Sequence, residues 1–257
     1  MRRTILSALA LAAVAYAAIP LALPSDRDWL ALRFRLMGLA LVLLTFVAYA
    51  WLDRRKEVFG RDGRGFRLGP IDVGLLLALP LYVLFVGNGL WLTSGDNIPT
   101  MALGPLLLKK QTIDLSSVPN YQRRPLHYSA TRVGDRILPV YPLGTALLSV
   151  PHVAITELTL DEPDDRVLAP RRDKHLAALL TVGSAILLFL GVRRHHGELP
   201  GLATAGVFAL ATTVLSAASQ ALWSITGELF LLAIALYVLL TRDDSVPRAM
   251  LAGLAAG

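Results

Sequence analysis

Apolar residues in this chain come in blocks long enough to cross a bilayer, and that spacing constrains the fold more than any other feature. A helix crossing about 30 Å of hydrocarbon needs roughly 20 mostly apolar residues. Stretches 5–23, 30–52, 69–93, 175–192, 202–222 and 225–240 meet or approach that length. Composition agrees: the chain is 54% hydrophobic and only 17% charged, where a soluble domain carries about 25% charged residues. The apolar region 201–240, as a single helix, would run to about 60 Å. The break Trp223-Ser224-Ile225-Thr226-Gly227-Glu228 therefore divides it into two. The expectation is an all-α integral membrane protein of about six transmembrane helices. One long polar segment, 94–174, hangs between the third and fourth.

Charge sets the orientation. Arg2 and Arg3 precede the first apolar run. That run reads as an uncleaved helix because apolar sequence continues past the cleavage-like Ala15-Tyr16-Ala17, although a signal peptide stays open. Residues 53–67 carry Arg54, Arg55, Lys56, Arg61, Arg64 and Arg67, a cytoplasmic signature, and 175–192 ends on Arg193-Arg194-His195-His196. With the N-terminus cytoplasmic, parity keeps the apolar island 138–158 from crossing. Its Pro139, Pro142 and Pro151 suit an interfacial or re-entrant helix. Segment 94–174 then lies outside. Its Lys109, Lys110, Arg123, Arg124, Arg132, Arg136, Arg166, Arg171, Arg172 and Lys174 count against this but do not overturn it, because the basic-residue rule governs loops shorter than about 60 residues. The expected location is the plasma membrane, crossed several times. The apolar residues 249–257 read as the start of a further span, so a truncated bundle is expected.

Several classes of chemistry are disfavoured. The net charge of +6 reads as topology signal and contact with anionic lipid rather than nucleic-acid binding, since no aromatic-and-basic motif accompanies it. The absence of cysteine removes disulfides and thiolate metal sites. No Gly-rich phosphate loop, nucleophile elbow or metal-binding helix motif occurs. The neighbours His195 and His196 do not share a helix face, and His127, His152 and His175 are far apart in sequence.

Three blocks carry the candidate chemistry. The outside segment opens with Ser94-Gly95-Asp96-Asn97-Ile98-Pro99. A second block is Gly134-Asp135-Arg136-Ile137-Leu138-Pro139-Val140-Tyr141-Pro142-Leu143-Gly144, and a third is Ser216-Ala217-Ala218-Ser219-Gln220-Ala221-Leu222-Trp223. In this order, with Leu106-Leu107-Leu108 and Asp114-Leu115 between the first two, they resemble bacterial polytopic membrane glycosyltransferases of the GT-C type. That group includes protein mannosyltransferases and aminoarabinose transferases, and the likeness covers residues 69–257. The resemblance implies a transferase that takes a sugar from a polyprenyl-phosphate carrier at the outer face. Asp96 would be the catalytic base, or would help hold a divalent metal. A carboxylate in reach of the acceptor hydroxyl can take its proton as it attacks the anomeric carbon. The leaving phosphate needs positive charge, for which Lys109, Lys110, Arg123, Arg124, Arg132 and Arg136 are candidates. Tyr141, Trp223 and the Pro142 region would line an interfacial groove for lipid or sugar. Glu228, expected at the outer interface, is a further candidate for substrate contact.

Plainer readings stand beside these. Ser-Gly-Asp-Asn is good turn chemistry for Asp96, and Asp135 reads as a structural turn residue. Asn97 stands where many such enzymes carry a second acid, and no histidine follows Trp223. A non-catalytic membrane subunit or inactive relative is therefore the second expectation. A small-molecule transporter is the third, disfavoured by the lack of two related halves.

Overall fold

The computed structural model describes residues 70–87, 94–122, 126–159 and 170–241. The expectations for 5–23, 30–52, 53–67, 249–257, Arg123, Arg124 and Arg166 fall outside these residues. The described chain is mostly helical: α1 (Pro70–Gly87), α2 (Ile98–Lys110), α3 (Gly144–Thr159), α4 (Pro170–His196), α5 (Glu198–Leu210) and α6 (Ser224–Thr241). Between α2 and α3 lie two short 3-10 turns, Leu115–Ser117 and Pro119–Tyr121, and an antiparallel hairpin, β1 (Ala130–Val133) with β2 (Arg136–Pro139).

The 27-residue α4 organises one half of the molecule. Gly74 of α1 sits against Ile186, and Tyr82 against His175, so α1 runs antiparallel to α4. Gly201 of α5 packs on Phe189 and Arg193, so α5 also runs antiparallel to it. Gly183 lies under the Phe230 ring and Gly191 under Leu240, so α6 runs parallel to α4. The core of α1, α4 and α5 centres on Leu81, Phe85, Phe189 and Leu202, and the fully buried Ala177, Ala178 and Ala185 line α4. Small residues let helix backbones approach closely, which is how helices associate where the solvent is as apolar as their side chains.

Two ends follow from these directions. One gathers the C-terminus of α4, the start of α5 and the end of α6. There Arg193 pairs with Glu198 at 2.8 Å, and His195 bonds the Leu240 carbonyl. The other gathers the end of α1, the start of α4 and the start of α6. The region 94–159 attaches at this second end, where Thr145 Oγ1 donates to the Ser224 carbonyl (2.7 Å) and His152 Nε2 bonds the Arg172 carbonyl (3.1 Å).

That attached region has its own core. Leu103 and Leu106 of α2, Leu115, Val118 and Tyr121 of the turns, Ile137 of β2 and Ala146 of α3 are all buried together. The hairpin corrects the expectation of a purely helical chain. Gly134 takes φ 59° at the first position of a two-residue turn, the pattern of a II′ hairpin turn, and the β-branched Thr131, Val133 and Ile137 favour strand on either side. The island 138–158 holds the end of β2, a turn and α3, which packs on α2 and meets α6 at its start.

Among the described residues, Arg172–His196 is the one helix long and apolar enough to cross a membrane by length and composition. Leu76–Gly87, Gly144–Thr156, Glu198–Leu210 and Ser224–Leu240 are shorter apolar helices. Two apolar stripes face outward: Ile225, Leu232, Leu236 and Leu239 along α6, and Leu147 and Ile155 on α3, on either side of the exposed Pro151. The stretch 202–222 is not one continuous helix. Thr212 Oγ1 donates to the Phe208 carbonyl (2.6 Å) and accepts from Val214 N (3.2 Å). Its side chain thus competes for backbone groups at the end of α5, and a π turn, Val214–Ala218, follows.

Candidate functional site

Asp96 is held by the fold rather than by its own loop alone. Ser94 N donates to Asn97 Oδ1 and Asp96 N to Ser94 Oγ, which shapes the turn that opens α2. Asn97 is fully buried, and Pro99 follows near the helix start, where its missing N–H is not needed. The half-buried Asp96 side chain then receives two phenols on one oxygen. Tyr141 Oη donates to Oδ1 at 3.1 Å, and Tyr128 Oη donates to the same atom. None of the hydrogen bonds among the described residues reaches Oδ2. The carboxylate is therefore fixed by one oxygen, and the other has no hydrogen bond among the described residues.

The Tyr128 hydroxyl is pushed up to about 12, first by its hydrogen bond to the Asp96 carboxylate. Tyr141 is raised as well, by burial and then by the same carboxylate. Both phenols stay protonated across the physiological range and act as donors.

Behind Tyr128 lies a relay. Its ring sits 4.1 Å from that of His127. Ser129 N donates to His127 Nδ1 at 3.3 Å, so Nδ1 is an acceptor. Ser129 Oγ then also donates to Nδ1 (2.9 Å), and the buried Tyr121 Oη donates to Ser129 Oγ (3.0 Å). This order leaves the ring proton on His127 Nε2. That edge of the ring lies against Gly95, where a Cβ would collide with it. Glycine is thus required next to Asp96 by contact rather than by backbone angle.

Asp114, in the stretch that carries the resemblance, is structural. It caps the first 3-10 turn by accepting from Ser116 N (2.9 Å) and holds β2 by accepting from Ile137 N (3.0 Å). Burial pulls its carboxyl upward. The backbone donors Ile137 and Ser116 and the nearby Arg136 charge outweigh that, and the net position is below the ordinary carboxylate value.

The other expected site residues are distributed differently. Tyr141 is at Asp96, as described. Lys109 and Lys110 are exposed in the last turn of α2. Arg132 and Arg136 are exposed on the hairpin, and Arg136 acts on Asp114. Trp223 is half-buried beside the contact between Thr145 and Ser224, and its Nε1 has no hydrogen-bond partner among the described residues. Glu228 is exposed in the first turns of α6. Tyr128 is absent from the sequence-based expectations, His127 enters them only as an isolated histidine, and Gln220 only as a member of the third block.

Among the described residues, no three His, Cys, Asp or Glu side chains gather as a metal site. Asp96 supplies a single carboxylate, and its neighbours are protonated phenols and an imidazole. That set does not fit a divalent cation seeking several oxygen ligands. Comparison with protein-family models, with curated proteins and with solved structures returned no match.

Proposed function

We propose that this chain is a multi-pass protein of a bacterial inner membrane. In this reading its Asp96 site lies at the outer face and transfers a sugar from a polyprenyl-phosphate carrier to an acceptor hydroxyl. The observation that carries the reading is the Asp96 carboxylate, fixed at Oδ1 by Tyr128 and Tyr141, with no hydrogen bond to Oδ2 among the described residues. In the reaction, Oδ2 takes the proton of the acceptor hydroxyl. The acceptor oxygen forms its bond to the anomeric carbon as the carbon–phosphate-oxygen bond breaks. The carrier leaves as polyprenyl phosphate. Positioned proton transfer of this kind contributes roughly 10²–10⁴ in rate.

The membrane setting is supported by the outward apolar stripes of α6 and α3 and by the small-residue packing of α4. Orientation is supported by the opposite ends that carry Arg193–His196 and the 94–159 region. Lys109 and Lys110 are the nearest candidates in sequence for the leaving phosphate.

The test is transfer of labelled sugar from a polyprenyl-phosphate donor in purified membranes, with wild type and Asp96→Asn at matched expression. The account expects transfer by wild type and a loss of about 10² or more in the variant. Equal turnover would remove Asp96 from the chemistry.

A second reading, a non-catalytic membrane subunit, is favoured by one observation. Through its two phenol bonds Asp96 also ties together three segments of the chain, which is what a structural strut does. It expects Asp96→Asn to lower stability and to leave any transfer in the membrane unchanged.

A further inference from the structure

Two polar side-chain atoms among the described residues are buried without a hydrogen-bond partner: Gln220 Oε1 and Trp223 Nε1. They lie three residues apart, on the short connection between the π turn and α6. The amide orientation of Gln220 is fixed by its surroundings. Nε2 donates to the Leu215 carbonyl at 2.7 Å and to Ser219 Oγ at 2.8 Å, and Ser219 Oγ in turn donates to the same carbonyl. A flipped amide would set two carbonyl oxygens against each other. Oε1 is therefore an acceptor awaiting a donor, in a side chain that is 1% exposed. Trp223 Nε1 is a donor awaiting an acceptor, since an indole N–H only donates.

Burying a donor or acceptor without a partner is unfavourable, so a partner is expected at both. One acceptor and one donor, with no charge, match a group that gives and takes hydrogen bonds at once. Hydroxyls do this, and a sugar ring offers several on adjacent carbons. The Trp223 ring adds an apolar face of the kind that sugar C–H groups cover.

The connection is also in the right place. Thr145 Oγ1 holds the Ser224 carbonyl, and a Cβ on Gly227 would strike Thr145, so the start of α6 is locked to the start of α3. Tyr141, which holds Asp96, is four residues before Thr145, at most about 14 Å of chain.

We propose that Gln220 and Trp223 form the subsite that reads the hydroxyls of the sugar on the lipid carrier, a reading that rests on the transferase function proposed above. Gln220 Oε1 accepts from one sugar hydroxyl, and Trp223 Nε1 donates to another. Entry takes a swing of the half-buried Trp223 ring, because both atoms are out of reach of solvent as they stand.

The experiment is equilibrium binding of two radiolabelled probes to the full chain in lipid nanodiscs: a polyprenyl-phosphate hexose and the same polyprenyl phosphate without sugar. Wild type is compared with Gln220→Met and with Trp223→Phe, which keeps an aromatic ring and removes the donor. The expected result is a wild-type preference for the hexose-bearing lipid of about tenfold or more. Each variant loses that preference, and affinity for the sugar-free lipid is unchanged. No preference in wild type, or a preference kept by both variants, would overturn the proposal. In the second case ordered water only fills the two positions. The transfer assay on wild type, run beside the titration, separates the two ideas: sugar preference without transfer would sink the transferase reading and leave this subsite standing.

Discussion

Tyr141 donates a 3.1 Å hydrogen bond to Asp96 across 45 residues of sequence, and Tyr128 reaches the same carboxylate oxygen from 32 residues away. The phenols set the direction in which the other oxygen points. Tyr141→Phe is expected to slow sugar transfer about tenfold, the worth of one hydrogen bond of about 1.4 kcal/mol. Tyr128→Phe has a similar effect, and the double variant approaches Asp96→Asn. Initial rates at matched protein check this. Full activity in the double variant would mean that the phenols do not position Asp96.

The Tyr128 phenol gives a spectroscopic handle on the same contact. Its folded value, about 12, lies above the ordinary 10.0, so the protonated phenol is favoured in the folded protein. The stability this brings is fully present below pH 10 and is lost as pH rises from about 10 to about 12. A phenolate absorbance titration of wild type is expected to contain a late-ionising component near pH 12. Tyr128→Phe removes it, and Asp96→Asn moves it back toward 10. A Tyr128 that titrates with the free phenols in wild type would deny the hydrogen bond.

What the sequence made legible follows from period and length. α1 and α4 are apolar over many consecutive residues, so hydropathy found them. The Gly134-Asp135 turn was legible from its dipeptide, although the strands on either side were not expected. Each is four residues long, and one of those strands lay partly inside the apolar island assigned to a helix. The break after Leu210 depends on a single threonine side chain capturing backbone groups, which no hydropathy window registers. At the site, Asp96 and Tyr141 were found through position and motif order. Tyr128, His127 and Ser129 were not, because their roles arise from a hairpin folding back over the start of α2. The isolated appearance of His127 in sequence said nothing of its ring lying on Gly95.

That contact makes Gly95→Ala a sharp probe. The added methyl group enters the space of the His127 ring, and overpacking of this kind costs about 1–3 kcal/mol. Thermal melting is expected to show the loss. Combined with His127→Ala, the penalty of Gly95→Ala shrinks, because the ring it struck is gone. Additive penalties in the double variant would contradict the contact.

Asp114 predicts a different pattern, confined to stability. Asp114→Ala removes the cap on Leu115–Ser117 and the tie to Ile137 N, a loss of about 1 kcal/mol from the cap alone. Its folded carboxyl lies below the ordinary 3.8. The stability it supplies is therefore present above that value and is lost as pH falls below it. Chemical denaturation at pH 7 and at pH 3 is expected to separate wild type from variant at the first pH and to narrow the gap at the second. An equal gap at both would mean that the charge of Asp114 plays no part.

The whole account depends on the two ends of the bundle lying on opposite sides of a membrane, and the absence of cysteine allows a clean measurement. Single cysteines at Asp135, on the hairpin turn, and at His196, at the end of α4, would be exposed to a membrane-impermeant maleimide on intact spheroplasts. The account predicts that Asp135→Cys is labelled at once and that His196→Cys is labelled only after permeabilisation. Labelling of both positions in intact spheroplasts, or the reverse order, would contradict it.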